Sequence, residues 1–265
     1  SALALAFWRD FWTFVVLFVA LAVLRPLWLR VRCADLVWLI GMGGTLGFLH
    51  VVWNLGVLVN GAAVATVQQA AAPAIVAVGA WLIWRESLHL NKVLAVVLTF
   101  VGTVLVSGLY VLGRIAISPE GYLIGLGIPL LYACWTLFGK KVRQYYNPVT
   151  SLMYAFGFAA LVLLPLQFLT PQPWPVKASS LLWFAGLVAL PTIAGFVLFT
   201  FALGRLAVSV ATILAMSEIV FVNVYAYILL GERLTPSQVF GTVLVVIGVT
   251  LLSWSGRRRQ APRPA

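Results

Sequence analysis

Apolar and polar residues are segregated into blocks along this chain. Nine apolar runs, at 11–29, 36–59, 62–84, 90–112, 121–139, 148–169, 180–203, 207–230 and 236–255, are separated by short polar connections. As α-helices, runs of roughly 20 residues span the ~30 Å hydrocarbon core of a bilayer. A helix also satisfies its own backbone hydrogen bonds in lipid, which an open strand edge does not. The pattern therefore predicts an all-α membrane protein with nine transmembrane helices. The connections leave no room for a soluble domain. The longest begins TPQPWPVK at Thr170, where Trp174 is placed to anchor at headgroup level.

Composition supports this reading. The chain of 265 residues is 63% hydrophobic and 9% charged, against about 25% charged in an ordinary globular domain. The net charge of +11 raises the question of nucleic acid, and its distribution answers it. With the GRRRQ tail in the cytoplasm and alternating crossings, the cytoplasmic side receives Arg25, Arg30, Arg32, Arg85, Lys92, Lys140, Lys141, Arg143, Arg205, Arg257, Arg258, Arg259 and Arg263. The other side receives Arg9, Arg114, Lys177 and Arg233. Thirteen against four is a positive-inside bias, so the charge is topological and no nucleic-acid partner is expected. Cys33 and Cys134 suggest no structural disulfide. No metal-ligand spacing or cofactor motif is present. GMGGTLG is not a dinucleotide fingerprint, because no strand precedes it.

The chain repeats itself at a spacing of 146 residues. VATVQQAAAPAIVAVGAWLIWRESL, from Val64, lies over VATILAMSEIVFVNVYAYILLGERL, from Val210, and 14 of the 44 positions from 64 to 107 are identical. The copies divide the chain into 1–114, with four helices, and 115–256, with five, followed by a basic tail at 257–265. Everything from Gly121 to Tyr146 has no partner in the first copy. A repeat of five helices is odd in number, so the copies are inverted across the membrane, as in many transporters. Ten helices are expected in the full protein, the first preceding Ser1.

GERLTPSQVFGTVLVVIGVTLLS, at 231–253, resembles the closing signature of the drug/metabolite transporter superfamily, EamA-like branch. WRESLHLNKVLAVVLTFVGTVLVS repeats it with Arg85 where Gly is usual. LLYACWTLFGKK, at 130–141, is similar to the family's first helix of the second half, and LALAFWRDF to the entry of its second helix. The resemblance implies an inverted-repeat transporter bundle that exports or exchanges small metabolites, amino acids and toxic compounds among them. It also implies a central cavity lined by the first four helices of each half. The expected location is the bacterial inner membrane, multi-pass, with the C-terminus cytoplasmic, as a monomer or homodimer.

Ionisable groups inside a membrane are functional candidates by default. Glu218 lies at the middle of 207–230 and His50 within 36–59, and both are candidates for proton coupling. The alternatives are a neutral Glu218 held by bundle hydrogen bonds and a His50 that bridges two helices. Gly43, Gly47, His50 and Asn54 form one helical stripe, bordered by Trp53. Gln68 and Gln69 lie near Pro73, whose missing N–H frees a carbonyl near mid-membrane. Tyr132 and Trp135 form an aromatic stripe whose simpler reading is packing, and Asn223 lies on a weaker stripe beside Glu218. The candidate substrate-binding set is therefore His50, Trp53, Asn54, Gln68, Gln69, Tyr132, Trp135, Glu218 and Asn223. Asp10 pairs with Arg9 at the outer edge. Glu86 and Glu232 are structural, and Thr235, Pro236 and Gln238 form a capping box.

The expected activity is a secondary carrier, with a small-molecule substrate, the bilayer and protons as its partners and no cofactor. A membrane-embedded enzyme would need a cluster of catalytic groups that this sequence does not offer. A non-transporting membrane subunit is the third class.

Overall fold

The computed structural model describes residues 2–107, 119–169, 177–230 and 235–260, with the side chains of 2, 62, 63, 107, 169, 222, 223, 226, 227, 229, 230 and 253–260 left out. Every regular element among them is helical. They are α1 (Ala2–Leu24), α2 (Leu36–Asn60), α3 (Ala62–Gln69), α4 (Ala72–Trp84), α5 (Leu90–Ser107) and α6 (Pro119–Val142). Then follow α7 (Pro148–Leu169), α8 (Leu181–Leu187), α9 (Gly195–Arg205), α10 (Val208–Ala215), α11 (Glu218–Leu230) and α12 (Pro236–Gln260). They account for all nine apolar runs, since α3 with α4, α8 with α9, and α10 with α11 each form one run. Six of the nine are long and apolar enough to cross a membrane, and three described helices are shorter.

The first run is displaced from its expected bounds. The helix begins at Ala2 and ends at Leu24, and Pro26–Leu29 form a separate 3-10 turn. Pro26 has no N–H and disfavours helical geometry in the residue before it. Arg25 accordingly takes φ −148°, ψ 63°.

Two runs break at equivalent places. α3 ends in a turn at Ala70–Ala71, and α10 ends in a turn at Met216–Ser217, 146 residues later. In the first copy Pro73 stands in the first turn of α4 and cannot donate to the Gln69 carbonyl. The second copy has Ile219 in that place and breaks all the same. A third irregularity is the π-helical stretch Val188–Ala194 around Pro191. The Thr192 hydroxyl donates to the Leu187 carbonyl at 2.8 Å, the acceptor that Pro191 leaves without its N–H.

The helices assemble into two compact units, 1–55 with 134–206 and 56–133 with 207–265. Each unit draws on both sequence copies, so repeats and spatial units do not coincide. In the second unit, α5 packs on α12. A Cβ on Gly102 would lie 2.6 Å from the Gly241 carbonyl oxygen, and one on Gly241 would lie 2.6 Å from the Gly102 carbonyl oxygen. Moved by 146, this pair becomes Gly248 and Ala95, which also touch: a Cβ on Gly248 would lie 3.1 Å from the Ala95 carbonyl oxygen. In the first unit, α1 packs on α7. Gly157 faces Phe14, and the exchanged pair, Phe11 and Ala160, belongs to the same apolar cluster. Contacts that exchange copies in this way are the mark of a two-fold relation between the repeats.

Helix ends are closed by side chains. Lys140 Nζ donates to the Leu203 and Leu206 carbonyls at 2.9 and 2.7 Å, and Arg143 Nε donates to the Thr200 carbonyl at 2.9 Å. Two of the basic residues counted for topology thus also satisfy the last carbonyls of α9, where the helix dipole favours positive charge. At α12, Thr235 N–H donates to Gln238 Oε1 at 2.8 Å and Gln238 N–H returns to Thr235 Oγ1 at 3.4 Å. This is the expected capping box.

Candidate functional site

In the first unit, α1 and α2 bring three ionisable groups together. Asp10 is fully buried and His50 is 8% exposed. His50 Nδ1 meets Asp10 Oδ2 at 2.5 Å, and Arg9 Nη2 meets His50 Nε2 at 3.0 Å. Arg9 Nε and Nη2 both lie 3.3 Å from Asp10 Oδ1. The Thr13 hydroxyl donates to the Arg9 carbonyl and turns its polar atom back onto α1. Asp10 thus pairs with Arg9 as expected and with His50 as well. It is the buried centre of a three-residue cluster that the sequence reading divided between two sites. Forty residues separate Asp10 from His50. The signal available was the rule that a buried charge is paired.

The second copy fills the equivalent place differently. Adding 146 carries Asp10 to Phe156 and His50 to Phe196. Those two rings meet edge to face with centroids 5.2 Å apart. Trp135, 3% exposed, stacks on Phe199 at 5.3 Å and lies 5.4 Å from Phe196. Trp135 therefore packs within an aromatic cluster with Phe196 and Phe199. Trp53 is half-buried, and the Asn54 amide donates to the His50 carbonyl at 2.6 Å within its own helix. An apolar groove of about 380 Å³ runs along α1 and α7 between Phe7, Phe11, Phe14, Tyr154 and Leu161. None of the candidate residues lines it.

The second unit holds the other candidates. Gln68, on α3, lies against α6 at Gly125, where a Cβ would come within 2.4 Å of the amide carbon. Its Oε1 is buried with no hydrogen-bond partner among the described residues. Such an acceptor costs about 1–3 kcal/mol until a donor reaches it. Gln69 is half-buried. Glu218 is exposed and is the first residue of α11, directly after the break. Tyr132 is within its electrostatic reach. Asn223 lies outside the described side chains.

Glu86 bonds both to the helix that follows it, through Lys92 of α5, and to α10. It caps α10 from the end of α4. Glu86 Oε1 accepts the Val208 N–H at 2.9 Å, and Oε2 accepts the Ser209 hydroxyl at 2.7 Å and Lys92 Nζ at 3.2 Å. Burial pushes this carboxyl up, but the bonds from Ser209 and Val208 together with Lys92 outweigh it and hold it below the ordinary carboxylate value. The preceding residue, Arg85, takes φ 55°, ψ 32°, which is the left-handed geometry of a helix C-cap. Glu232, its counterpart in the repeat, lies outside the described residues. Among the described residues no group of His, Cys, Asp and Glu could hold a metal.

Known proteins agree with this architecture. A crystal structure of a protein superposes with a TM-score of 0.81 over 98% of this chain and 90% of its own, at 19% identity, which speaks to fold alone. An uncharacterized transporter of Archaeoglobus fulgidus is 31% identical over 134 residues, 51% of this chain and 47% of that protein. Matches to two further curated transporters span 51% and 56% of their lengths, so the chain covers about half of each of these three. A protein of Salmonella typhimurium described as a probable amino-acid metabolite efflux pump is 26% identical over 208 residues, 74% of this chain and 69% of its own. The model of the EamA-like transporter family matches residues 1–108 and 119–254. With nine helical runs, six of them long and apolar enough to cross a membrane, a repeat legible in both sequence and contacts, and a family match over nearly its whole length, the chain belongs to the EamA-like transporter family.

Proposed function

We propose that this protein is a secondary carrier that exports or exchanges small metabolites by alternating access, with amino acids and related or toxic compounds as the substrate class. The observation that carries the reading is the pair of helix breaks at Ala70–Ala71 and Met216–Ser217. Discontinuous helices in matching positions of two repeats expose backbone carbonyls and helix ends where a transporter holds its substrate. Glu218 stands directly at the second break and Gln68 just before the first. The Salmonella relative's description supports the substrate class. Glu218 and His50 are the proton-handling candidates, and Trp53, Asn54, Gln68, Gln69, Tyr132, Trp135 and Asn223 complete the substrate-binding set. The charge bias supports a bacterial inner-membrane location with the C-terminus in the cytoplasm. The protein works as a monomer or homodimer.

The test is efflux of labelled amino acids from proteoliposomes, with and without a pH gradient. Protein-dependent efflux of at least one amino acid is expected. A screen over amino acids and toxic cations with no flux above empty vesicles would overturn the carrier reading.

A further inference from the structure

The Arg9–Asp10–His50 cluster determines where a proton can go. Arg9 carries only donors, so the His50 Nε2 that it meets must present a lone pair. Nδ1 must then hold the ring proton, which it donates to Asp10. A neutral imidazole, a carboxylate and a guanidinium sum to zero charge, which is what a buried site favours. An added proton goes first to the Nε2 lone pair, intrinsically more basic than the Asp10 carboxylate, and Arg9 already occupies it. Proton and guanidinium compete for a single atom.

We infer that this cluster binds a carboxylate-bearing ligand together with one proton, and that Arg9 is the residue that receives the carboxylate. A proton on Nε2 turns an acceptor into a donor facing a donor, so Arg9 leaves the imidazole while His50 keeps Asp10. The cluster then carries one positive charge, and a carboxylate on Arg9 restores neutrality. Access is consistent with this order. The Arg9 side chain is 25% exposed whereas that of Asp10 is fully buried. Arg9 Nη1 has no hydrogen-bond partner among the described residues, so one edge of the fork is open.

No other charge competes. On α1 only Arg9 and Asp10 are charged, and on α2 His50 is the one acid or base. On α7 the sole titratable group is Tyr154, whose hydroxyl donates to the Leu29 carbonyl. The run from Ala178 to Arg205 has Arg205 at its end, and the part of α6 in this unit has Cys134 and, in its last turn, Lys140 and Lys141. By reciprocity, the proton must favour the carboxylate as much as the carboxylate favours the proton. The inference deepens the carrier reading and rests on it for its physiological purpose.

The probe is acetate, a bare carboxylate, titrated into the purified full chain in detergent while the melting temperature is followed. Methylammonium is the cationic control. Acetate alone should stabilise, with an affinity that weakens about tenfold for each pH unit above the histidine midpoint, the slope of one proton. Arg9→Gln should abolish the response. Arg9→Lys, which keeps the charge without the fork, should weaken it and retain the slope. His50→Phe, the residue that the second copy uses, leaves Arg9 and Asp10 together neutral at every pH, so acetate binding should stay at the weak high-pH level and lose the slope. The chain has two histidines, so His89→Gln leaves one ring for nitrogen-15 NMR, which should show the Nδ1–H tautomer. An absent acetate response in folded protein, a response indifferent to Arg9→Lys, a flat pH dependence, or the Nε2–H tautomer would each overturn the inference. Acetate binding needs no transport. Efflux without any acetate response removes this inference and leaves the carrier reading, and acetate binding without efflux does the reverse.

Discussion

Replacing Glu86 tests whether the bond between the end of α4 and the start of α10 stabilises the second unit. Glu86→Ala removes an acceptor from the first turn of α10, which is worth about 1 kcal/mol by analogy with an N-cap. It also removes charge-assisted bonds from Ser209 and Lys92, about 1.5–3 kcal/mol each in buried settings. The Glu86 and Lys92 side chains are 14% and 11% exposed, so solvent reaches the rim and the low end applies. The expected loss is about 4 kcal/mol, or about 8–16 °C of melting temperature at about 2–4 °C per kcal/mol. Glu86→Gln keeps an acceptor and loses the charge, and should fall about midway. The assay is thermal unfolding in detergent followed by tryptophan fluorescence. The pH dependence supplies an internal control. The folded carboxyl titrates below its ordinary value, so the stabilisation is complete above the unfolded pKa and is lost as pH falls through the folded one. The gap between wild type and Glu86→Ala should therefore be full at neutral pH and close in acid. An alanine variant melting within about 2 °C of wild type at neutral pH, or a gap that persists in acid, would refute the reasoning.

Arg85 holds a left-handed conformation that costs a non-glycine residue about 1–2 kcal/mol. Arg85→Gly should raise the melting temperature slightly, and a fall beyond about 2 °C would count against the strain. Gly102→Val should prevent stable folding, because a carbonyl oxygen lies 2.6 Å from the new Cβ and backbone does not yield as a side chain does. Gly44→Ala, with nothing within 4 Å, should stay within about 1 kcal/mol of wild type in the same melt. Glu218→Gln should weaken the pH dependence of efflux, leaving the part that His50 supplies, with the fold intact. Full pH-dependent flux in that variant would exclude Glu218 as the proton carrier.

The nine runs were legible because hydrocarbon thickness dictates their length, whatever the helices pack against. The break at Ala70–Ala71 was announced by Pro73. The one at Met216–Ser217 carries no local signal, since Ile219 stands where the proline would, and only the repeat relation points to it. The capping box at Thr235 was legible because all of its partners lie within four residues. The Asp10–His50 pair was not, because no local pattern joins groups 40 residues apart. Glu86 was recognised as structural and does meet the following helix at Lys92, but its second role, on α10, was hidden for the same reason: Val208 is 122 residues away. Trp135 was ambiguous in sequence because packing and substrate contact use the same side chain. In the structure it stacks on Phe199, a packing contact that the sequence alone does not show.

The seam between α5 and α12 has a further consequence. Because Gly102 meets Gly241 as Gly248 meets Ala95, the surface is self-complementary in the manner of an isologous dimer interface. Two copies of the second half, each bearing Gly241 and Gly248, would present the same small-residue seam to one another. The fused chain thus retains the geometry of a homodimer, and each seam position is seen twice in different company. Ala95 shows how far the two versions have drifted: one methyl group, on the side where the backbones stand slightly further apart.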